Sequence, residues 1–148
     1  MRSDWLLFAH VLTAIVLFGG VLAVATVSLA AQRWARPDQI PLLRAVAFRT
    51  NLLVVLPAFV AVHVFGDLLA NREFEHGSPT WLDVGFALTD ASLIVGGVAL
   101  TLLQFWVLRR TRSGRPGGWQ AAVATLLPGL VLAALVAAIV LMAGKPTG

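Results

Sequence analysis

Residues 5–31, WLLFAHVLTAIVLFGGVLAVATVSLAA, run without a single charged side chain. As a helix this stretch rises about 40 Å at 1.5 Å per residue, more than the roughly 30 Å hydrocarbon core of a bilayer. A helix on a water-soluble fold needs a polar face, and this one has none. Three later segments repeat the pattern. Residues 50–66 are uncharged and the span continues through Asp67 to Ala70; residues 84–108 carry only Asp90; residues 119–143 carry no charge. The chain reads as an all-α membrane protein: one domain over 1–148, with transmembrane helices at 5–31, 45–70, 81–108 and 119–143. Composition agrees, since 12% of residues are charged against about 25% in soluble chains. The first run is expected to be a retained helix and not a cleaved secretory signal, despite the small-residue stretch SLAAQ. It is longer than the usual apolar region, and MRSD brings no net positive charge.

Charge sorts the connections. Arg33, Arg36, Arg44 and Arg49 flank the first loop, and Arg109, Arg110, Arg112 and Arg115 flank the third; the opposite side has only Arg2, Arg72 and Lys145. The positive-inside rule then places both termini and the loop NREFEHGSPTWLD outside and the arginine loops in the cytoplasm, as for a bacterial cytoplasmic-membrane protein. Short connections favour an antiparallel up-down four-helix bundle. Trp5, Trp81 and Trp119 stand at span edges as interfacial anchors. Because the basic residues mark helix ends, they speak for lipid headgroups as partner and against nucleic acid. Thr125, Gly129, Ala133 and Ala137 repeat every four residues, as Gly19 and Ala23 do, and Gly97 and Thr101. Such spacing predicts close helix contacts, within the bundle or in a homo-oligomer. Pro57 and Pro128 predict bends. Asn51 and Gln104 are expected to hydrogen-bond across the second and third helices, and Arg44 and Arg49 to snorkel to the headgroups.

The chain has no cysteine and no tyrosine. That excludes disulfides, thiolate metal sites, iron–sulfur clusters, cysteine nucleophiles and tyrosyl chemistry. Phosphate-binding loops, nucleophile elbows and metalloprotease motifs are also missing. The informative residues are the ionisable ones inside the spans, which are costly there and usually face the bundle interior. His10 lies about 9 Å along its helix from Asp4, His63 about 12 Å from Asn71, and Asp90 about 10 Å from Asp83. With the expected topology these groups share one layer in the outer half of the membrane. Asp67 follows His63 by one turn on the same face. His76, beside Glu75 in the outer loop, reads as a solvated loop residue.

Two imidazoles on neighbouring antiparallel helices are the arrangement that clamps a haem, so His10 and His63 are candidate axial ligands of haem b. Gly19 and Gly20 would make room for the macrocycle or for a close helix. The protein is then expected to be a membrane electron-transfer protein or oxidoreductase, passing electrons to or from a quinone or an outer-face partner protein. A second reading binds or transports a single transition-metal ion with His10, His63 and Asp90. A third is a non-catalytic accessory subunit whose small-residue stripes pack against partners.

WLLFAHVLTAIVLFGG, with a histidine near the outer end of the first helix and a glycine pair nine and ten positions later, resembles the first helix of the copper-resistance protein D family. It is also similar to the HemJ-type protoporphyrinogen oxidases, and LLRAVAFRTNLLVVLP resembles the arginine-flanked second helix of such proteins. The resemblance spans about a third of the chain. It implies a small helical bundle with haem or metal near its outer face, held through His10, with Gly19 and Gly20 matching the same pattern. The HemJ type also uses an intramembrane lysine, whereas the only lysine here is Lys145 in the tail. Copper handling often draws on extra methionines, and only Met1 and Met142 are present.

Overall fold

A computed structural model describes residues 4–73, 80–115 and 118–144. His76, Arg2 and Lys145 lie outside the described residues. Among the described residues the chain forms four continuous helices and no strand. Helix α1 is Asp4–Arg33. Helix α2 runs through Ile40–Thr50, a π-helical stretch Asn51–Val55, and Leu56–Glu73. Helix α3 runs through Thr80–Ser92, a second π-helical stretch Leu93–Ala99, and Leu100–Arg112. Helix α4 is Gly118–Ala143. All four are long and apolar enough to cross a membrane.

The helices outrun the uncharged segments at several ends. Arg33, Arg72 and the Arg109–Arg112 group still lie on helix, because arginine is a good helix former and favours the C-terminal turn electrostatically. Local chemistry sets the ends. After α1, the Trp34 and Ala35 amides both bond to the Ala30 carbonyl, and Pro41 in the first turn of α2 restarts the helix where its missing N–H costs nothing. The Ser113 hydroxyl caps the Arg109 carbonyl of α3 at 2.9 Å, and Gly114 at φ +72° turns the chain out.

The π-helical stretch in α2 immediately precedes Leu56–Pro57. Pro57 can give no N–H to the preceding turn, and a widened turn absorbs that loss. In α3 no proline is present; the widened turn contains Gly96 and Gly97, whose carbonyls accept from the Asn51 side chain at 3.1 and 3.5 Å. A side chain has entered the helical ladder, a recognised cause of helix irregularity.

Packing places the helices at the corners of a square. α1 touches α2 and α4, and α3 touches α2 and α4, leaving α1 opposite α3 and α2 opposite α4. Side-chain bonds fix the register. His10 meets Val62 at one end of the α1–α2 pair and Gln32 meets Arg44 at the other. Asn51 meets Thr101 on α3. His63 meets Asp90 at the other end of the α2–α3 pair, so the pairs α1–α2 and α2–α3 are antiparallel. The axis is filled by Leu17, Val21, Val24, Val55, Phe59, Leu100, Val131 and Leu135. Phe59 is fully buried and separates a histidine end from an arginine end.

The small-residue stripes divide by face, and one packing expectation, for Arg44, is corrected. On α4, Gly129, Ala133 and Ala137 point out of the bundle, as do Gly19 and Ala23 on α1. The inward face of α4 is Ala121, Ala124, Thr125, Pro128, Val131, Leu135 and Ala138. Steps of four residues drift off a fixed face at 3.6 residues per turn, and the buried face is itself mostly small, with Leu126, Leu130, Ile139 and Val140 turned outward. Only Gly97 and Thr101 of the small-residue pairs are buried together. Arg44 does not snorkel: it is 4% exposed and bonds to Gln32 and Thr125. Arg49 stays at the surface.

Candidate functional site

The histidine end encloses a cavity of about 210 Å³ with walls from all four helices, including His10, Phe18, His63, Trp81, Phe86 and Met142. Its lining is mainly apolar, with few polar groups, the usual character of a small-molecule site.

His10 reaches across from α1 to α2. Its Nδ1 lies 3.2 Å from the Val62 carbonyl oxygen. A carbonyl can only accept, so Nδ1 is the donor in this contact. Gly66, one turn beyond Val62, makes the approach possible: a Cβ there would stand 3.3 Å from His10 Cε1 and 3.6 Å from the Phe86 ring. One absent methyl group on α2 thus seats an imidazole from α1 and a phenyl from α3.

His63 sits in the opposite situation. Its Nε2 is 3.4 Å from Asp67 Oδ2, one turn along α2, and its Nδ1 is 3.1 Å from Asp90 Oδ1 on α3. Nδ1 is buried, and the carboxylate meets it off the N–H axis, as a charge contact without the alignment of a hydrogen bond. Phe86 stands edge-to-face against the ring at 6.0 Å. Both carboxylates are half-exposed on the outward flank, while the ring also lines the cavity. Thr89, another wall residue, turns its hydroxyl back to the Gly85 carbonyl at 2.9 Å.

The structure therefore brings His10, His63 and the cavity together and joins Asp90 to His63 directly. It does not bring Gly19 or Gly20 to the site. Gly20 lets α1 close on α2, where a Cβ would meet the Val55 side chain at 3.0 Å, and Gly19 faces outward. Haem held between two imidazoles needs a free nitrogen on each ring. His63 has a carboxylate against both of its nitrogens, and the cavity is smaller than the roughly 300–1,000 Å³ of ordinary cofactor pockets. The residues as arranged do not fit that group. A bare metal ion on His10, His63 and Asp90 would need the three groups to converge, and no such group of three is present among the described residues.

Sequence reasoning missed the Val62 carbonyl and Gly66, because backbone partners leave no residue-type signal. Met142, whose methyl packs against Gly85, gave a faint one: a lone flexible side chain at the end of a span. No family model, curated protein or solved structure matches this chain.

Proposed function

We propose that this is a small integral membrane protein that takes a compact, largely apolar molecule with a hydrogen-bonding head, the class to which quinones belong, into its histidine-end cavity and exchanges a proton with it at His63. The observation that carries this reading is the double placement of His63. The ring lines an apolar cavity and faces a carboxylate at each nitrogen. Nδ1 meets Asp90 without an aligned hydrogen bond, so in this proposal its proton passes to a bound head group and is replaced from Asp90, which reaches the outward flank. Ionisable groups kept inside a membrane despite their cost are the usual parts of such relays. The orientation in the proposal follows the arginine bias: both termini and the cavity lie toward the outer face, and the arginine loops toward the cytoplasm.

The test is equilibrium binding of a short-tailed quinone analogue, read by quenching of tryptophan fluorescence across pH in lipid nanodiscs. Binding by the native protein is expected to change with pH, and His63→Gln is expected to bind without that dependence. An unchanged pH profile in His63→Gln, or no saturable binding, defeats the proposal.

One observation favours a second reading. Metal-ligating histidines commonly give their other N–H to a backbone carbonyl, as His10 does to Val62. In that reading His10 is the protein ligand to a transition-metal centre. Elemental analysis and an absorption spectrum of the purified protein decide it: stoichiometric metal lost in His10→Ala supports it, and metal content equal in the two proteins removes it.

A further inference from the structure

The arginine end holds a second polar cluster, independent of the cavity. Asn51 is 1% exposed, Gln104 3% and Ser28 0%. Asn51 spends its amide N–H groups on the Gly96 carbonyl and on Thr101 Oγ at 2.7 Å, and Thr101 in turn donates to the Gly97 carbonyl. That chain fixes the amide's orientation and leaves Asn51 Oδ1 buried without a partner. Gln104 Nε2, Gln104 Oε1 and Ser28 Oγ are buried without partners as well.

These orphans share one level of the bundle. Gln32 pairs with Arg44, so Ser28, a turn back along antiparallel α1, lies between the levels of Arg44 and Asn51. Asn51 pairs with Thr101, so Gln104, nearly a turn on, lies in the same interval. Helical side chains lean toward their own N-terminus. Asn51 therefore leans toward the arginine end, while Ser28 and Gln104 lean toward the histidine end, and the three converge. α1 and α3 stand at diagonal corners of the bundle, so Ser28 and Gln104, both buried, approach the axis from opposite sides. The neighbours on the other two helices at this level are small, Ala47 and Ala124, both buried. Pro128 adds one more acceptor, because it supplies no N–H to the Ala124 carbonyl.

We propose that this level is a bound-water site, with at least one water molecule bridging Asn51 Oδ1, the Gln104 amide and Ser28 Oγ. The orphaned atoms are a mixed set of donors and acceptors. Water satisfies both kinds at once, whereas an anion would satisfy only the donors. Leaving four such atoms dry in the low-dielectric core is costly, and internal waters with two to four polar partners are the normal remedy. The hydrated level stops toward the histidine end at Val55, Phe59, Leu100 and Val131, all buried and apolar. The proposed hydrated level is thus sealed on its histidine side.

The test is water-selective nuclear Overhauser spectroscopy on protein with ¹⁵N-labelled glutamine in deuterated detergent. The Gln104 side-chain signal is assigned by its loss in Gln104→Leu. A direct water cross-peak at the Gln104 amide is expected. Gln104→Leu is expected to lower the melting temperature, because it strands Asn51 Oδ1 and Ser28 Oγ. Absence of the cross-peak overturns the proposal, and so does a melting temperature raised by Gln104→Leu, the result for a dry pocket relieved of an unpaired amide.

Discussion

Removing the Asn51 side chain tests the knot that joins the two π-helical stretches. Asn51→Ala deletes the donations to the Gly96 carbonyl at 3.1 Å and to Thr101 Oγ at 2.7 Å. Interhelical hydrogen bonds in membrane proteins average about 0.6 kcal/mol and reach about 1.7. Two of them, with the Gly96 carbonyl left unpaired in a buried site, place the loss near 2 kcal/mol. That is about a thirtyfold fall in the folded-to-unfolded ratio at 1.36 kcal/mol per decade. Reversible unfolding in mixed micelles, followed by far-UV circular dichroism, measures it. Asn51→Leu separates bonding from volume: it refills the space without restoring a donor and is expected to lose nearly as much. A double-mutant cycle with Thr101→Val isolates the shared bond, and its coupling energy is expected between about 0.5 and 1.7 kcal/mol. A coupling of zero, or an Asn51→Leu protein as stable as the native one, refutes the reasoning, because the amide would then add nothing that leucine lacks.

Three further outcomes are expected. Gly96→Ala places a methyl 2.8 Å from both Val131 methyl carbons and should cost about 1–3 kcal/mol by overpacking; adding Val131→Ala should recover most of the loss in the same unfolding assay. Gly66→Ala should push the His10 ring off by a few tenths of an ångström and weaken its bond to Val62, seen as faster solvent exchange of the Nδ1 proton by NMR; an unchanged exchange rate would mean the ring is seated by something else. The native chain has no cysteine, so single cysteines report sidedness cleanly: in intact cells an impermeant maleimide should label Ser78→Cys and spare Arg36→Cys and Arg115→Cys, and the reverse pattern inverts the proposed orientation.

The helices were legible because charge and length decide them: a long uncharged run has few other fates. The shared level of His10 and His63 was legible for the same reason, since rise per residue converts position into depth. Rotation about each helix axis was not. The spans are apolar on every side, so periodicity could not say which face of α4 turns inward, and the small-residue stripe chosen from spacing proved to be the outer one. Depth put His63 and Asp90 in one layer as joint ligands, but periodicity could not say which faces of their helices meet. Arg44 misled for a different reason. Its place near a helix end suggested headgroups, but Gln32 and Thr125 converge on it from two other helices, and a convergence of that kind is visible only in three dimensions. Pro57 was expected to disturb its helix, and a widened turn precedes it; the matching irregularity at Gly96 and Gly97 was not expected, because its cause is a side chain on another helix.

Arg44 stretches from α2 to Thr125 on the diagonal helix α4 and also ties in Gln32 on α1. A brace of this kind makes the two ends of the bundle mechanically unequal. The braced end resists splaying, so any outward swing of the helices pivots there and grows with distance from it, like the jaws of a clothes peg. The widest excursion falls at the far end, where the cavity is. In the proposed function, a guest would enter by a slight parting of the rods while the opposite end stays shut.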